Sequence, residues 1–545
     1  METSKIDIHD SYSGFDLKIL SALKYHFFKR PLKIISTSFN QTNKIVMQKI
    51  SLSIILLIWV SIYSQSQTVF SSKLPIVIID TDGQEILDEP KITVNMKIIY
   101  NGPGNINHLN DTIYHFNGNI GIELRGNMSQ QSHAPAYGFK TRDDYGENMN
   151  VSLLGMPSEH VWILYGSPMD PTYIRNELTY HLSTQMGHYA SRTRYCELFI
   201  NNEYVGLYAL MEKIKRDKNR VDISKLTSDD TSGDDVTGGY IIELGDYESD
   251  WISTVIDTRF QYVYPKKKNI VVEQQDYIKE YVDSFQTALI NSNSLSDYEK
   301  YIDVNSFIDF FIIQELSFNP DAYIGSVFFH KDKNSKGGKI RMGPVWDFDL
   351  AWGIYPMDSF QYEIEGRLFW FKVLLKDTVF ENMLKCRWEY LREDILKTTE
   401  IYSHIDSVSN IINQSAYYNN SQSIDQLKTW INDRIEWLDE NMPGKCITIP
   451  DSIDNEVENI KVYPNPVSDY AIISFNFKEP TIITIKVYDL MGKEVKQVSD
   501  NQLFSGENTI SFDVRGLSPG MYFMYIQTNR FINSLKLSVI KIIIN

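Results

Sequence analysis

Two aspartates two residues apart, Asp347 and Asp349, stand inside the stretch Arg341 to Gly353, Arg-Met-Gly-Pro-Val-Trp-Asp-Phe-Asp-Leu-Ala-Trp-Gly, and Asn319-Pro320-Asp321 lies upstream. If Pro344 to Leu350 is extended, the two carboxylates project from the same face of a strand. Such a pair repels itself unless something positive sits between, and a hard, oxygen-liganded divalent cation carrying a phosphate meets that demand. Trp346 and Trp352 offer flat apolar surface to a nucleobase or a sugar ring, and Gly353 lets the backbone turn away. The other reading of the same residues has Asp347 capping a turn, Asp349 capping a helix, and both tryptophans in the core.

These side chains need elements to hold them. Residues 272 to 318 are helical in character, with Tyr277, Tyr281, Phe285 and Leu289 recurring four apart. Pro320 ends the last of these helices, so Asp321 falls on a loop before a strand, Ser326 to His330. One acid on a rigid loop and a cation-type pair beyond the next strand is an arrangement suited to phosphoryl transfer: a base or orienter for the nucleophile, and separate ligands for the metal. Upstream, Leu74 to Asp80, Lys91 to Tyr100 and Gly118 to Leu124 read as strands. Arg125-Gly126 then forms a loop that a ligand could approach closely. Lys140 follows on another alternating segment, where its plain reading is a solvated strand lysine. A helical stretch, Tyr173 to Met186, precedes a hairpin of Cys196 to Ile200 and Tyr204 to Leu210 that Glu212 closes. The strand Gly239 to Leu244 carries Glu243. A last helix, Ile424 to Asn441, buries a stripe of Leu427, Trp430, Ile431, Ile435 and Leu438 before Pro443-Gly444.

The chain has 545 residues, enough for two to four domains, and is 43% hydrophobic and 13% aromatic. A formal charge of −17 argues against nucleic acid as a partner and suits a cationic one. Cys196, Cys386 and Cys446 are far apart and indicate neither a disulfide framework nor a zinc ribbon; the ten histidines form no His-Glu-x-x-His. Ile50 to Tyr63 is an apolar run too short for a comfortable membrane span. With Met47-Gln48-Lys49 before it and Ser64 after it, residues 47–64 read as a signal peptide. Residues 1–46 are then an over-long start or leader, the mature form has no stable transmembrane span, and a signal anchor is the alternative.

Several of these residues, taken in order, carry a resemblance. Arg125-Gly126-Asn127, Leu153-Leu154-Gly155-Met156-Pro157, Asp170 with Arg175-Asn176, Tyr204-Val205-Gly206-Leu207-Tyr208 with Glu212-Lys213-Ile214, Gly238-Gly239-Tyr240 and Trp346-Asp347-Phe348-Asp349 resemble the CotH (spore coat protein H) kinase-like family. The resemblance spans a domain of residues 73–445. It implies an α+β, strongly diverged protein-kinase-like fold that binds ATP with magnesium or manganese and phosphorylates serines of surface proteins. By position, Asp321 resembles the catalytic carboxylate, and Asp347 and Asp349 the metal-binding pair. Trp346 resembles an aromatic beside the base; Arg125, Lys140 and Glu212 fall where phosphate contacts and their ion-pair partner are expected. Where members of that family often carry a lysine pair ahead of the position of Tyr137, this chain reads Ala134-Pro135-Ala136, which leaves phosphate neutralisation to Lys140 and Arg125.

Past residues 446–460, a linker, the tail runs as short alternating strands: Ala471 to Phe477, Thr481 to Tyr488, Thr509 to Val514, Met521 to Thr528 and Ser534 to Ile540. That spacing implies a small β-sandwich over 461–545. Tyr463-Pro464-Asn465-Pro466, Val487 to Lys493 and Leu517-Ser518-Pro519-Gly520-Met521-Tyr522 resemble the C-terminal sorting domain of type IX secretion. The expectation is an exported kinase, secreted or held at the outer cell surface, that acts on Ser/Thr hydroxyls of a basic, serine-rich surface protein. The alternative is a non-catalytic surface protein whose acidic groove binds a cationic partner or a carbohydrate.

Overall fold

In the computed structural model the described residues are 69–545, apart from 127–129, 131, 246–248, 293, 356–369, 419–420, 447–456, 490–493, 530–534 and 545. The signal peptide and the leader expected over residues 1–64 lie outside them. Most of the linker expected over 446–460 does too.

The first half is built from β-branched runs that alternate in and out. A short clip pairs β1 (Ser71–Ser72) with β4 (Asn107–His108). Around it, β2 (Ile76–Asp80), β3 (Ile92–Ile99), β5 (Phe116–Arg125), β6 (Ala136–Arg142), β7 (Val161–Tyr165), β8 (Thr193–Ile200) and β9 (Glu203–Glu212) close into a barrel in the order β2-β3-β5-β6-β7-β9-β8. The seam is the parallel pairing of β2 with β8, Ile76 opposite Glu197. Inward residues such as Val77, Met96, Ile122, Phe139, Trp162, Leu198 and Leu210 fill the barrel with its own core. The alternate residues, Ile163, Leu207, Ala209 and Met211, face outward and join the larger core shared with the helices. A strand that buries both faces must be apolar on both, and Leu207 to Met211 is.

Between β7 and β8 runs α1 (Arg175–Gln185). The second half centres on a five-stranded antiparallel sheet ordered β11-β12-β10-β13-β14, from β10 (Tyr240–Leu244), β11 (Trp251–Ile252), β12 (Arg259–Tyr264), β13 (Phe328–Lys331) and β14 (Ile340–Met342). Helices α2 (Val272–Ile290) and α3 (Val304–Ser317) lead into the Asn319–Asp321 loop. Asp303 caps α3 by accepting from Ser306 N at 3.1 Å, and Phe318 ends it in the left-handed conformation at φ 47°. Almost every residue of α3 is buried, so it is the central helix of this half. Four more helices, α4 (Phe371–Leu374), α5 (Thr378–Arg392), α6 (Thr398–Ile412) and α7 (Ser421–Asn441), complete it. The stripe expected on α7 is buried at Leu427, Ile431, Ile435 and Leu438; Trp430 is only partly covered.

Two expectations are corrected. Cys386 on α5 and Cys446 beyond α7 are joined in a disulfide, 60 residues apart in sequence. Sequence distance hid a pairing that the return of α7 alongside α5 creates. The segment Pro344 to Leu350 is not a strand: β14 stops at Met342. Gly343 at φ 97° and Asp347 at φ 65° break the extended repeat.

In the tail, β15 (Val457–Tyr463), β16 (Tyr470–Asp489), β17 (Glu494–Asp513), β18 (Gly520–Asn529) and β19 (Leu535–Ile544) form one antiparallel network. Two strands expected as separate, Ala471 to Phe477 and Thr481 to Tyr488, are one long β16. A register shift between Phe477 and Thr481 supplies the interruption that the sequence suggested. One edge of β16 pairs with β17 throughout, and the other is shared by β15 and β18. Val467, Ala471, Ile473, Phe475, Ile485, Val487, Met524 and Ile526 make its core.

Candidate functional site

The three aspartates singled out from the sequence come within electrostatic reach of one another, although the element expected to carry two of them does not form. Asp347 and Asp349 sit on the loop after β14, and Asp321 on the loop after α3. Burial pushes Asp347 up to about 7, and repulsion from Asp349 and Asp321 adds to it; Arg125 and a hydrogen bond from Ser326 oppose. Asp349 is also raised, first by burial, with Asp170 and Asp321 adding repulsion. A hydrogen bond from the Tyr165 hydroxyl, 2.5 Å from Oδ2, acts the other way. Among the described residues neither Asp347 nor Asp349 makes an ion pair: Asp347 accepts from the Ser326 hydroxyl at 3.3 Å, and Asp349 from the Tyr165 hydroxyl and the Leu350 backbone N–H.

The loops are held by a buried frame. Asp170, at the entrance to α1, accepts from Thr172 N at 2.9 Å and Arg175 N at 2.9 Å, and pairs with the Arg175 guanidinium. The rest of that guanidinium donates to the carbonyls of Ala351 (3.2 Å) and Trp352 (3.4 Å), just past Asp349. Asn176 Oδ1 accepts Phe348 N at 2.7 Å, and Asn319 Nδ2 donates to the Asp347 carbonyl at 3.4 Å. Asn319 therefore couples the loop of Asp321 to that of Asp347. Among the described residues, seven of the twelve non-glycine residues at positive φ lie in the three segments around this site: Ser167, Tyr173, Phe318, Tyr323, Ser326, Asp347 and Trp352. Backbone strain of this kind gathers where surrounding bonds over-determine a working geometry.

The barrel supplies the opposite wall. Arg125 ends β5 on its outer face, with its guanidinium 5.3 Å from the centre of the Trp346 ring, and Tyr180 stacks on the same ring at 6.0 Å and 19°. Trp346 is thus flanked by a cation and a phenol. Trp352 is fully buried, donating through Nε1 to Thr179 Oγ1 at 2.9 Å, so it is core and offers no surface to a ligand. Lys140 lies on the same outer face, yet its charged neighbours are Lys266, Lys91, Arg142 and Glu123. Glu212 is not its partner. In register with Trp162 and Phe139, Glu212 belongs to the inward set and is fully buried against Arg192, at 2.9 Å, and Arg220, at 3.5 Å.

The geometry draws attention to four residues to which sequence reading gave no role at the site. Tyr165 and Asn319 bind the acidic loops directly. Lys213, one residue past β9, is exposed, and Arg125 is foremost among its charged neighbours. Glu243 on β10 faces it: burial pushes this carboxyl up to about 7, against the pull of Arg125 and Lys213. Lys213 directly follows Glu212 in a segment quoted for its resemblance, and the alternation of β9 was the available signal, since position 213 shares the outer face with Met211.

The residues suit a small hard cation. Among the described residues no three His, Cys, Asp or Glu side chains form a ready-made metal cage. What exists is a carboxylate pair with no ion-pair partner and a third acid within electrostatic reach. Magnesium uses one or two carboxylates and completes its shell with phosphate oxygens and water.

Compared with known families, residues 122–445 match the CotH kinase protein family. The chain belongs to the CotH family. Its barrel begins before the matched region, which starts inside β5, because β2 and β3 are needed to close it. Residues 461–545 match the secretion system C-terminal sorting domain, so this CotH protein is addressed to type IX export and to the outside or surface of the cell. Among the described residues no helix is long and apolar enough to cross a membrane. One solved structure that it resembles is the Helicobacter pylori proinflammatory kinase CtkA, at 11% identity over 54% of this chain and 93% of that one. The TM-score of 0.27 is too low to say more about the architecture. No curated protein matches.

Proposed function

We propose that this CotH protein is an exported ATP-dependent protein kinase, of kinase-like fold with a sandwich-type sorting tail, that phosphorylates Ser/Thr hydroxyls of a surface protein. The observation that carries the reading is that Asp321, Asp347 and Asp349, from two loops, lie within electrostatic reach of one another, with Arg125 acting on Asp347. Asp321 accepts the acceptor hydroxyl's proton as the acceptor oxygen bonds to the γ-phosphorus. The bond from that phosphorus to the β–γ bridging oxygen breaks, and its electron pair leaves with ADP. Asp347 and Asp349 hold magnesium or manganese, which when bound neutralises charge on the phosphate oxygens. Tyr165 and Ser326 orient the two carboxylates, Arg125 draws in the phosphates, and Trp346 forms an apolar wall toward the base. The net negative charge of the chain favours a basic, serine-rich acceptor.

The full-length chain, incubated with labelled ATP, magnesium or manganese and a basic serine-rich protein, is expected to transfer label. Asp349→Ala and Asp321→Ala are each expected to abolish transfer, with Asp321→Ala retaining nucleotide binding. Binding without any transfer by the unaltered chain overturns the enzymatic reading in favour of a binding module.

A further inference from the structure

We infer that Tyr323, Glu315 and Arg434 are positioning residues for Asp321, a buried clasp that closes the loop 319–326 and fixes where its carboxylate stands. The inference rests on the phosphoryl-transfer reading above. The loop leaves α3 after Phe318 and runs toward β13. Along it Asp321 is half-buried and Ile324 exposed, while Ala322 and Tyr323 turn inside. Asn319 Oδ1 accepts Asp321 N at 3.1 Å, and the Asp321 carbonyl accepts Ile324 N at 3.2 Å and Gly325 N at 3.1 Å. Those bonds bend the loop; Tyr323 anchors it in the core. Its φ of 68° puts an aromatic residue in the left-handed region, a conformation that persists only where the surroundings hold it.

The anchor has a ring and a hydroxyl. The ring packs against Phe371 and Phe311, with centroids 5.2 and 6.2 Å away. The hydroxyl donates to Glu315 Oε1 at 3.0 Å, eight residues back in the last turn of α3. Burial, with the Glu315 charge adding, holds this phenol well above its ordinary range, so it remains the donor. The bond ties the far side of the loop to the helix from which the loop departs. Glu315 is itself buried, and a carboxylate placed there needs a cation. Arg434, fully buried on α7, supplies it. Its Nη2 lies 3.3 Å from Glu315 Oε2, and Nε and Nη2 donate to the Glu315 carbonyl at 2.9 and 2.7 Å. The same guanidinium stands 5.0 Å from the centre of the Phe318 ring, at the left-handed residue that ends α3. Arg434 therefore grips the helix end and the carboxylate together, a set of contacts that needs a planar fork and that a lysine's point charge cannot reproduce. Asp347 and Asp349 ride on a different loop, held from α1 by Asn176 and Arg175. Slackening the clasp moves the base and spares the cation site.

The test is steady-state transfer by the full-length chain to a basic serine-rich protein with magnesium ATP varied, alongside equilibrium nucleotide binding. Tyr323→Phe keeps the ring and deletes only the clasp bond. It is expected to lower kcat about tenfold or more while KM for ATP and nucleotide binding stay within about twofold of the parent. Arg434→Lys, which keeps the charge and loses the fork, is expected to show the same split. Asp303→Ala loosens the opposite end of α3 and is expected to lower the melting temperature yet leave kcat within about twofold. A kcat within about twofold of the parent in Tyr323→Phe or Arg434→Lys, a matching loss of nucleotide binding, or an equal fall of kcat in Asp303→Ala each overturns the assignment while the kinase reading stands. Absence of transfer by the unaltered chain overturns both.

Discussion

At the scale of single residues, the site is a carboxylate pair held by neutral hydroxyls. Removing the Tyr165 hydroxyl leaves Asp349 held by the Leu350 backbone N–H with one fewer restraint, while keeping its charge. Tyr165→Phe is therefore expected to raise the magnesium concentration needed for half-maximal transfer about tenfold or more, with the rate largely restored at saturating metal. A metal titration of activity checks this. Proton competition gives a second expectation. Asp347 is held near 7 by burial and its acidic neighbours, so it is protonated below that value and only its ionised form holds a cation. Metal-dependent activity should fall as pH drops from 8 to 6, with the steepest change near 7, and excess magnesium should shift the profile toward acid. The residue types were legible in the sequence because Asp-x-Asp and Asn-Pro-Asp are local patterns. Tyr165 was not, since its link to Asp349 crosses 184 positions. Nor was the partner of Glu212: a carboxylate at a strand end gives no local sign of which face it takes until the register with Trp162 is known.

At the scale of elements, α1 and the loop after β14 act as one piece through Asp170 and Arg175. Both are buried, at 2% and 5% exposure, so cutting either leaves an uncompensated charge inside the protein. Arg175→Ala is expected to cost about 3–5 kcal/mol of stability and most of the activity, as read by denaturant unfolding and by transfer assay. By contrast, Asp303→Ala removes the cap of α3 and a partly exposed ion pair with Arg341, and is expected to cost about 1–2 kcal/mol with the site intact. Apolar spacing found the barrel strands and α7 to within a few residues, while α2 and α3 were marked only as one helical span over 272 to 318. It missed the shape of Pro344 to Leu350. There the conformation is dictated by bonds from Asn176, Asn319 and Arg175, distant in sequence, which override the alternation that suggested a strand.

At the scale of the whole molecule, the Cys386–Cys446 bond fixes the end of the CotH region just before the linker and the sorting tail. An oxidising compartment outside the cytosol favours such a bond. Reduction, or Cys386→Ser with Cys446→Ser, is expected to lower stability by about 2–4 kcal/mol, seen as a reductant-dependent melting temperature. Deleting 461–545 is expected to block release to the surface while leaving nucleotide binding unchanged, a comparison of cell fractions with binding by the truncated chain. The parallel seam between β2 and β8 also sets a timetable. A chain made from its amino end cannot shut the barrel until β8 and then β9, which bridges β8 to β7, have emerged, and the acidic loops come later still. Contacts this distant form slowly. The chain thus passes through a long interval with its acidic loops unassembled, and any transfer has to wait until nearly the entire CotH region has been delivered.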